Sequence, residues 1–242
     1  MRLRRLTTAA IAAAIALAVL GATGTPAEAA ARGSARSFAL NANSDGSKTR
    51  WNPCKAIHYR INLKYAPKGA QADVTAAIRT LAKATGMTFT YDGATTVIPQ
   101  RNYGQDATPW SGKKVAPLVV AWARPPGAGA GASDLLTGSA SLAGMGGWRS
   151  GKWTDGKGAH PWQIYTGYAL FSTRFNSLPG GFRAGAPGRG ELILHELGQA
   201  VGLEHVSDGT QIMYPMLGNY GTYGAGDLAG LAKVGRKAGC LE

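Results

Sequence analysis

The spacing of apolar positions along the chain changes between periods of two and of three to four, and each period predicts an element. In residues 56–63 every second position is apolar, which predicts a strand with one buried face. In residues 71–85 the apolar side chains share one helical face, and Gly86 can end that helix. The same criteria predict further strands at 87–91, 118–122, 139–144 and 162–171, further helices at 191–203 and 227–237, and loops at 124–133 and 179–190. Strands and helices mix without a strict alternation, which favours an α+β fold.

The first 29 residues carry the pattern of a secretory signal peptide. Three arginines lie within the first five positions, residues 6–20 form an uncharged apolar run, and the small residues Ala27 and Ala29 precede a possible cleavage point. The alternative is an uncleaved membrane anchor, for which a run of about 15 residues is marginal in length. We therefore expect the mature protein to start near Ala30, to lie outside the cell and to have no membrane span after processing.

Composition and charge narrow the class of protein. Residues 30–50 have little apolar patterning, so we expect a flexible leader there and one domain at 51–242. Of the 242 residues, 45% are hydrophobic and 16% are charged, which excludes a wholly disordered chain. The formal net charge of +13 makes anionic cell-wall polymers a candidate partner, whereas the basic residues form no nucleic-acid-binding motif. We expect a monomer without a nucleic acid partner.

The two cysteines lie at opposite ends of the predicted domain. Cys54 is close to its start, and Cys240 is the third residue from the end of the sequence. In an exported protein two such thiols normally pair, so we expect one disulfide that ties the two ends of the domain together. Two free thiols are the alternative.

The residues with the most chemical information lie at the end of a predicted helix and just after it. His195 and Gln199 are four positions apart and project from one helical face, with Glu196 beside them. Gly202 can end the helix in a left-handed conformation, so the chain can turn and bring His205 to the same point. Three ligands and one open coordination position are typical of a catalytic zinc site, in which a neighbouring carboxylate serves as general base.

This stretch resembles the zinc-binding signature of the metzincin metalloproteases, H-E-x-x-H-x-x-G-x-x-H, in its matrixin-like form. The likeness continues into Met213, Tyr214 and Pro215, at the offset where matrixins have a methionine-containing turn, and into the helix that starts at Asp227. The resemblance implies a metzincin fold, which has a twisted mixed sheet, an active-site helix and a C-terminal helix. It also implies a secreted metalloendopeptidase that hydrolyses peptide or protein substrates with one catalytic zinc ion.

The resemblance further implies roles for single residues around the metal. Glu196 takes a proton from the attacking water and passes it to the leaving amine. Met213 forms a floor beneath the metal, and Tyr214 and Pro215 help to form the wall of the pocket for the residue after the cleaved bond. Residues 139–144 are then the edge strand along which an extended peptide pairs.

Position 199 departs from the pattern, since the family has a second histidine where this chain has Gln199. A carboxamide oxygen is a much weaker zinc ligand than imidazole. One interpretation is that His195, His205 and a weak or vacant third corner bind zinc weakly and that cleavage is slow. Another is a non-catalytic pseudoprotease that acts as a binding module at the cell surface or wall. The third is that another residue completes the site, for which the candidates are His58, His160 and Asp208.

Overall fold

The structure is a computed structural model, and it describes residues 31–109, 111, 113–138 and 140–241. Seven strands and three α-helices lie within these residues. In chain order the strands are β1 (Ala39–Leu40), β2 (Ile57–Asn62), β3 (Phe89–Ala94), β4 (Leu118–Ala123), β5 (Gly144–Asp155), β6 (Gly158–Ser172) and β7 (Leu203–Glu204). The helices are α1 (Ala70–Thr85), α2 (Arg189–Ala200) and α3 (Ala225–Val234), and short 3-10 helices lie at Asp134–Leu136, Thr173–Phe175 and Arg236–Ala238.

Five of the strands form a mixed sheet in the order β3-β2-β4-β6-β5. The first four are parallel to their neighbours, and β5 runs antiparallel to β6 at one edge. The remaining two strands, β1 and β7, form a separate antiparallel pair. A mixed sheet with helices that do not alternate regularly with its strands is consistent with the expected α+β class.

The main core lies between the sheet and the helices. Leu118, Val120 and Trp122 of β4 belong to this core together with apolar side chains of α1 and α2, whereas the residues between them face a smaller cluster on the other side of the sheet. Because both faces of β4 are covered, its sequence is apolar throughout. Helix α1 ends at the predicted residue, since Gly86 has a φ of 68° and its N–H donates to the last turn.

A long β-hairpin differs from the pattern-based prediction. Strands β5 and β6 are 12 and 15 residues long. The strand expected at 139–144 instead begins at Gly144, and Ser139 lies outside the described residues. Glycines dominate the first half of β5, so no apolar alternation marks it as a strand. The turn between the strands does carry a signal, because Asp155 is followed by Gly156 and accepts the N–H of Lys157 at 2.8 Å.

The N-terminal residues of the described chain pack against the domain. Strand β1 pairs with β7, which ends directly before His205. The carbonyl oxygen of Arg32 accepts a hydrogen bond from the N–H of Ala225 at 2.7 Å. Residues 31–50 therefore differ from the flexible leader expected from their composition. The predicted signal peptide, residues 1–29, lies outside the described part of the chain.

Cys54 and Cys240 form a disulfide, which confirms the expected pairing. Their Cα atoms are 5.4 Å apart although 186 positions separate them in the sequence. Asn52 supports the same junction, because its side-chain N–H donates to the carbonyl of Leu241 at 2.6 Å. A disulfide is typical of proteins in an oxidising compartment and is consistent with export.

Among the described residues, none of the helices has the length and apolar character that would be needed to cross a membrane.

Candidate active site

Helix α2 carries the candidate site and is almost completely buried in the domain. Eleven of its twelve residues are buried, and only Gln199 is partly exposed. At its first turn, Nε of Arg189 donates to the carboxylate of Asp73 in α1 at 2.7 Å. The buried carboxylate of Glu191 accepts the backbone N–H of Gly218 at 2.8 Å. These contacts tie α2 to α1 and to the loop before α3, so the side chains of α2 project from a rigid support.

The structure brings His195 and His205 together. Their Nε2 atoms lie 3.1 Å apart. Nδ1 of His195 donates to the carbonyl oxygen of Ile212 at 2.7 Å, so Nε2 of the neutral ring carries a lone pair. Gly202 has a φ of 110° and turns the chain back towards α2, and a side chain there would collide with the carbonyl of Thr49. This turn returns His205 to the face of the helix that carries His195.

Gln199 lies beside both histidines, and its amide has one favoured orientation. The backbone N–H of Gly146 donates to Oε1 of Gln199 at 3.0 Å. Nε2 of Gln199 lies 2.7 Å from Nε2 of His205 and 3.4 Å from Nε2 of His195. Exchanging the amide oxygen and nitrogen would set two donors against each other at Gly146, so the hydrogen-bond network assigns the oxygen to that side. The amide nitrogen therefore donates towards the imidazoles.

The residues fit a zinc ion at two of its corners. Two imidazole nitrogens whose lone pairs point to one region are suitable zinc ligands. The bond from His195 to the carbonyl of Ile212 is the outer contact that metal-binding histidines usually make. The third corner is different, because Gly146 holds the oxygen of Gln199. Across the described ranges, no group of three or more His, Cys, Asp and Glu side chains is placed to hold a metal.

The three other candidate ligands have partners away from this point. Nδ1 of His58 lies 2.8 Å from the carboxylate of Asp92, on neighbouring strands of the sheet. Nε2 of His160 lies 3.0 Å from Asp155, across the β5–β6 hairpin. Asp208 accepts the backbone N–H two positions ahead at 2.9 Å. None of the three is among the residues that line the cleft in front of the paired histidines.

Glu196 is buried between α2 and the edge strand, with 4% of its surface exposed. Burial raises the pKa of Glu196 to about 8. The carboxyl lies against Gly144, where a β-carbon would be only 2.5 Å from Oε1. A positive charge nearby favours the ionised form of such a carboxyl, so a cation bound at the histidines would lower the pKa of Glu196 and leave more of it ionised and able to accept a proton.

A cleft of about 570 Å³ opens in front of these side chains. The start of β5 and the residues before it line this cleft, and Pro215 lines it too. Tyr214, which was predicted to form the pocket wall together with Pro215, is half-buried in the turn that precedes Pro215. Met213 is buried beneath α2, with its sulfur 2.7 Å from the position that a β-carbon on Gly198 would occupy. The cleft thus combines a backbone edge, an apolar wall and the paired histidines.

A second carboxylate supports the site, in a role that its position in the sequence does not predict. Asp227, in the first turn of α3, accepts the backbone N–H groups of Ile212 at 2.7 Å and Met213 at 3.1 Å. The carbonyl of Ile212 in turn accepts the hydrogen bond from His195. An acidic residue in the first turn of a helix is a recognisable cap. That signal does not reveal the contact with a distant turn.

No model of a protein family matches this chain, and no curated protein is similar enough in sequence to count as a relative.

Proposed function

We propose that this chain is an extracellular metalloendopeptidase domain of the matrixin-like type, in which His195 and His205 hold zinc weakly. The observation that carries the proposal is the convergence of two imidazole nitrogens at 3.1 Å, beside the buried carboxyl of Glu196 and at the side of an open cleft. The mixed sheet, the buried helix α2 and the final helix α3 support it further, since the resemblance implies the same parts. The Cys54–Cys240 disulfide supports an extracellular location.

Residues of this chain position the substrate and transfer the proton in the proposed reaction. An extended peptide pairs with the outer backbone edge of β5, because an unpaired sheet edge can add a further strand. Glu196 accepts a proton from the attacking water and donates it to the leaving amine. When bound, zinc would supply the Lewis acid that polarises the scissile carbonyl and activates the water. The burial of Glu196 limits exchange of that proton with bulk water.

The orientation of Gln199 favours a second candidate function, a non-catalytic peptide-binding module. The amide presents a donor, and not an oxygen ligand, to the two histidines. A module of this kind keeps the cleft and the edge strand, and strand addition needs no metal. The two candidates therefore share a peptide ligand and differ in metal content and in hydrolysis.

Zinc content and cleavage of casein by the purified mature protein separate the two candidates. A peptidase should cleave only with zinc, and Glu196→Gln should reduce cleavage by roughly 10²–10⁴-fold because it removes the base. Asp106→Asn, which changes an exposed carboxylate, is the matched control and should cleave like the parent. Peptide retention without cleavage, with or without zinc, would favour the binding module. Cleavage that survives Glu196→Gln would overturn the proposed mechanism.

A further inference from the structure

We infer that the amide of Gln199 is an internal hydrogen-bond donor that competes with zinc for the lone pairs of His195 and His205. The inference rests on the proposed function only in naming zinc as the ion. The side chain holds the two histidines together without an ion, and an ion that binds there must first displace it.

The edge strand fixes the amide from one side. The backbone of β5 lies directly on α2 at Gly146, where a β-carbon would collide with the carbonyl of Glu196 and lie 2.7 Å from Cβ of Gln199. At this close approach the N–H of Gly146 donates to Oε1 of Gln199 at 3.0 Å. Turning the oxygen towards the histidines would leave that N–H without this acceptor. The backbone contact therefore disfavours the orientation that a zinc ligand would need.

The histidines fix the amide from the other side. Nδ1 of His195 carries the proton, because a carbonyl oxygen can only accept, and this leaves Nε2 as an acceptor. Nε2 of Gln199 is 2.7 Å from Nε2 of His205, and an amide nitrogen can only donate. Nε2 of His205 is therefore an acceptor too, and its proton lies on Nδ1, which is 3.9 Å from the carboxylate of Glu204.

The two acceptor nitrogens and the amide donor complement one another without any ion. Each lone pair that zinc would use faces the same NH₂ group, at 2.7 Å for His205 and 3.4 Å for His195. A hydrogen bond of ordinary strength changes an equilibrium by about fivefold. Zinc binding should therefore be weakened by about that factor, in addition to the effect of a missing third imidazole.

The variant Gln199→Ala tests the inference, because it removes the competitor and supplies no ligand. We expect the variant to bind zinc about fivefold more tightly than the parent when both are titrated against a competing chelator. Gln71→Ala removes the same group from the exposed face of α1 and should bind zinc like the parent. If Gln199 were a ligand through its oxygen, the alanine variant would bind zinc more weakly, and that result would overturn the inference.

A second measurement needs no variant and so does not depend on how a variant folds. Nitrogen NMR of the chelator-treated parent, at a pH where the imidazoles are neutral, should show both histidines protonated on Nδ1 with Nε2 accepting a hydrogen bond. A proton on Nε2 of either ring would overturn the inference, even if no zinc binding were detected. Neither measurement uses cleavage. A protein that passes both tests and hydrolyses nothing would therefore refute the peptidase proposal alone.

Discussion

Replacing Asp227 by alanine should destabilise the domain by roughly 3–5 kcal/mol. The carboxylate is 1% exposed and accepts three backbone hydrogen bonds, from Ile212 at 2.7 Å, Met213 at 3.1 Å and Gly224 at 2.8 Å. Alanine leaves three buried N–H groups without this acceptor, and each such group costs about 1–3 kcal/mol. A water molecule that enters the vacated space would recover part of that loss, which places the expected value near the lower end of the sum.

Asparagine at the same position should cost less, roughly 1–3 kcal/mol. One oxygen of Asp227 accepts from both Ile212 and Gly224, and the other accepts only from Met213. The single amide oxygen of asparagine can keep the first two bonds, and its NH₂ group would then face the N–H of Met213. The expected order of stability is therefore parent, then Asp227→Asn, then Asp227→Ala.

Thermal unfolding followed by circular dichroism measures this order. For a domain of this size 1 kcal/mol corresponds to roughly 2–4 °C, so Asp227→Ala should lower Tm by roughly 10 °C. Asp106→Ala, at an exposed aspartate, is the control and should stay within about 0.5 kcal/mol of the parent. An alanine variant that unfolds with the parent, or an asparagine variant less stable than the alanine one, would refute the reasoning.

Three further predictions concern the bridge, the metal site and the N-terminus. Serine at both Cys54 and Cys240 should lower the free energy of unfolding by roughly 2–5 kcal/mol, because the unfolded chain gains freedom; an unchanged denaturant midpoint would contradict this. Gln199→His should raise zinc affinity at least about tenfold in a chelator titration, because imidazole is the stronger ligand, and equal affinity would mean that position 199 is not limiting. Intact-mass analysis of the culture supernatant should find a chain that starts near Ala30, whereas a membrane-bound chain that retains Met1 would exclude cleavage.

Elements with a strong apolar period were predictable from the sequence, and the edge strand was not. The strand predicted at 56–63 and the helix predicted at 71–85 correspond to β2 and α1 within one residue at either end. Because β2 and α1 each bury one face against the core, apolar residues must recur along them at the period of a strand or a helix. Strand β5 pairs on one side only, and its glycines allow the backbone to approach α2. Strand β5 is therefore stabilised by long-range contacts, and these leave no apolar pattern in its sequence.

In the candidate site, too, the local spacing was predictable from the sequence and the long-range contacts were not. Helical spacing alone predicts that His195 and Gln199 share a face, because both lie on one continuous helix. The direction of the Gln199 amide depends on Gly146, which is 53 positions away in the sequence. The support for His195 passes through a turn that Asp227 holds from the next helix. Local periodicity carries no information about partners this distant, so the orientation of the amide required the three-dimensional structure.

The pairing of β1 with β7 limits how much of the N-terminus can be trimmed. Strand β7 leads directly into His205, and beside this pair Asn41 donates to the carbonyl of Leu203 at 3.0 Å. Cleavage near Ala30 leaves this support in place. A shortened chain that starts at Trp51 would lack it, and the segment that carries His205 would lose its only strand partner within the described residues. Processing that keeps this support must therefore cleave the chain before β1, and recombinant versions should retain residues 31–50.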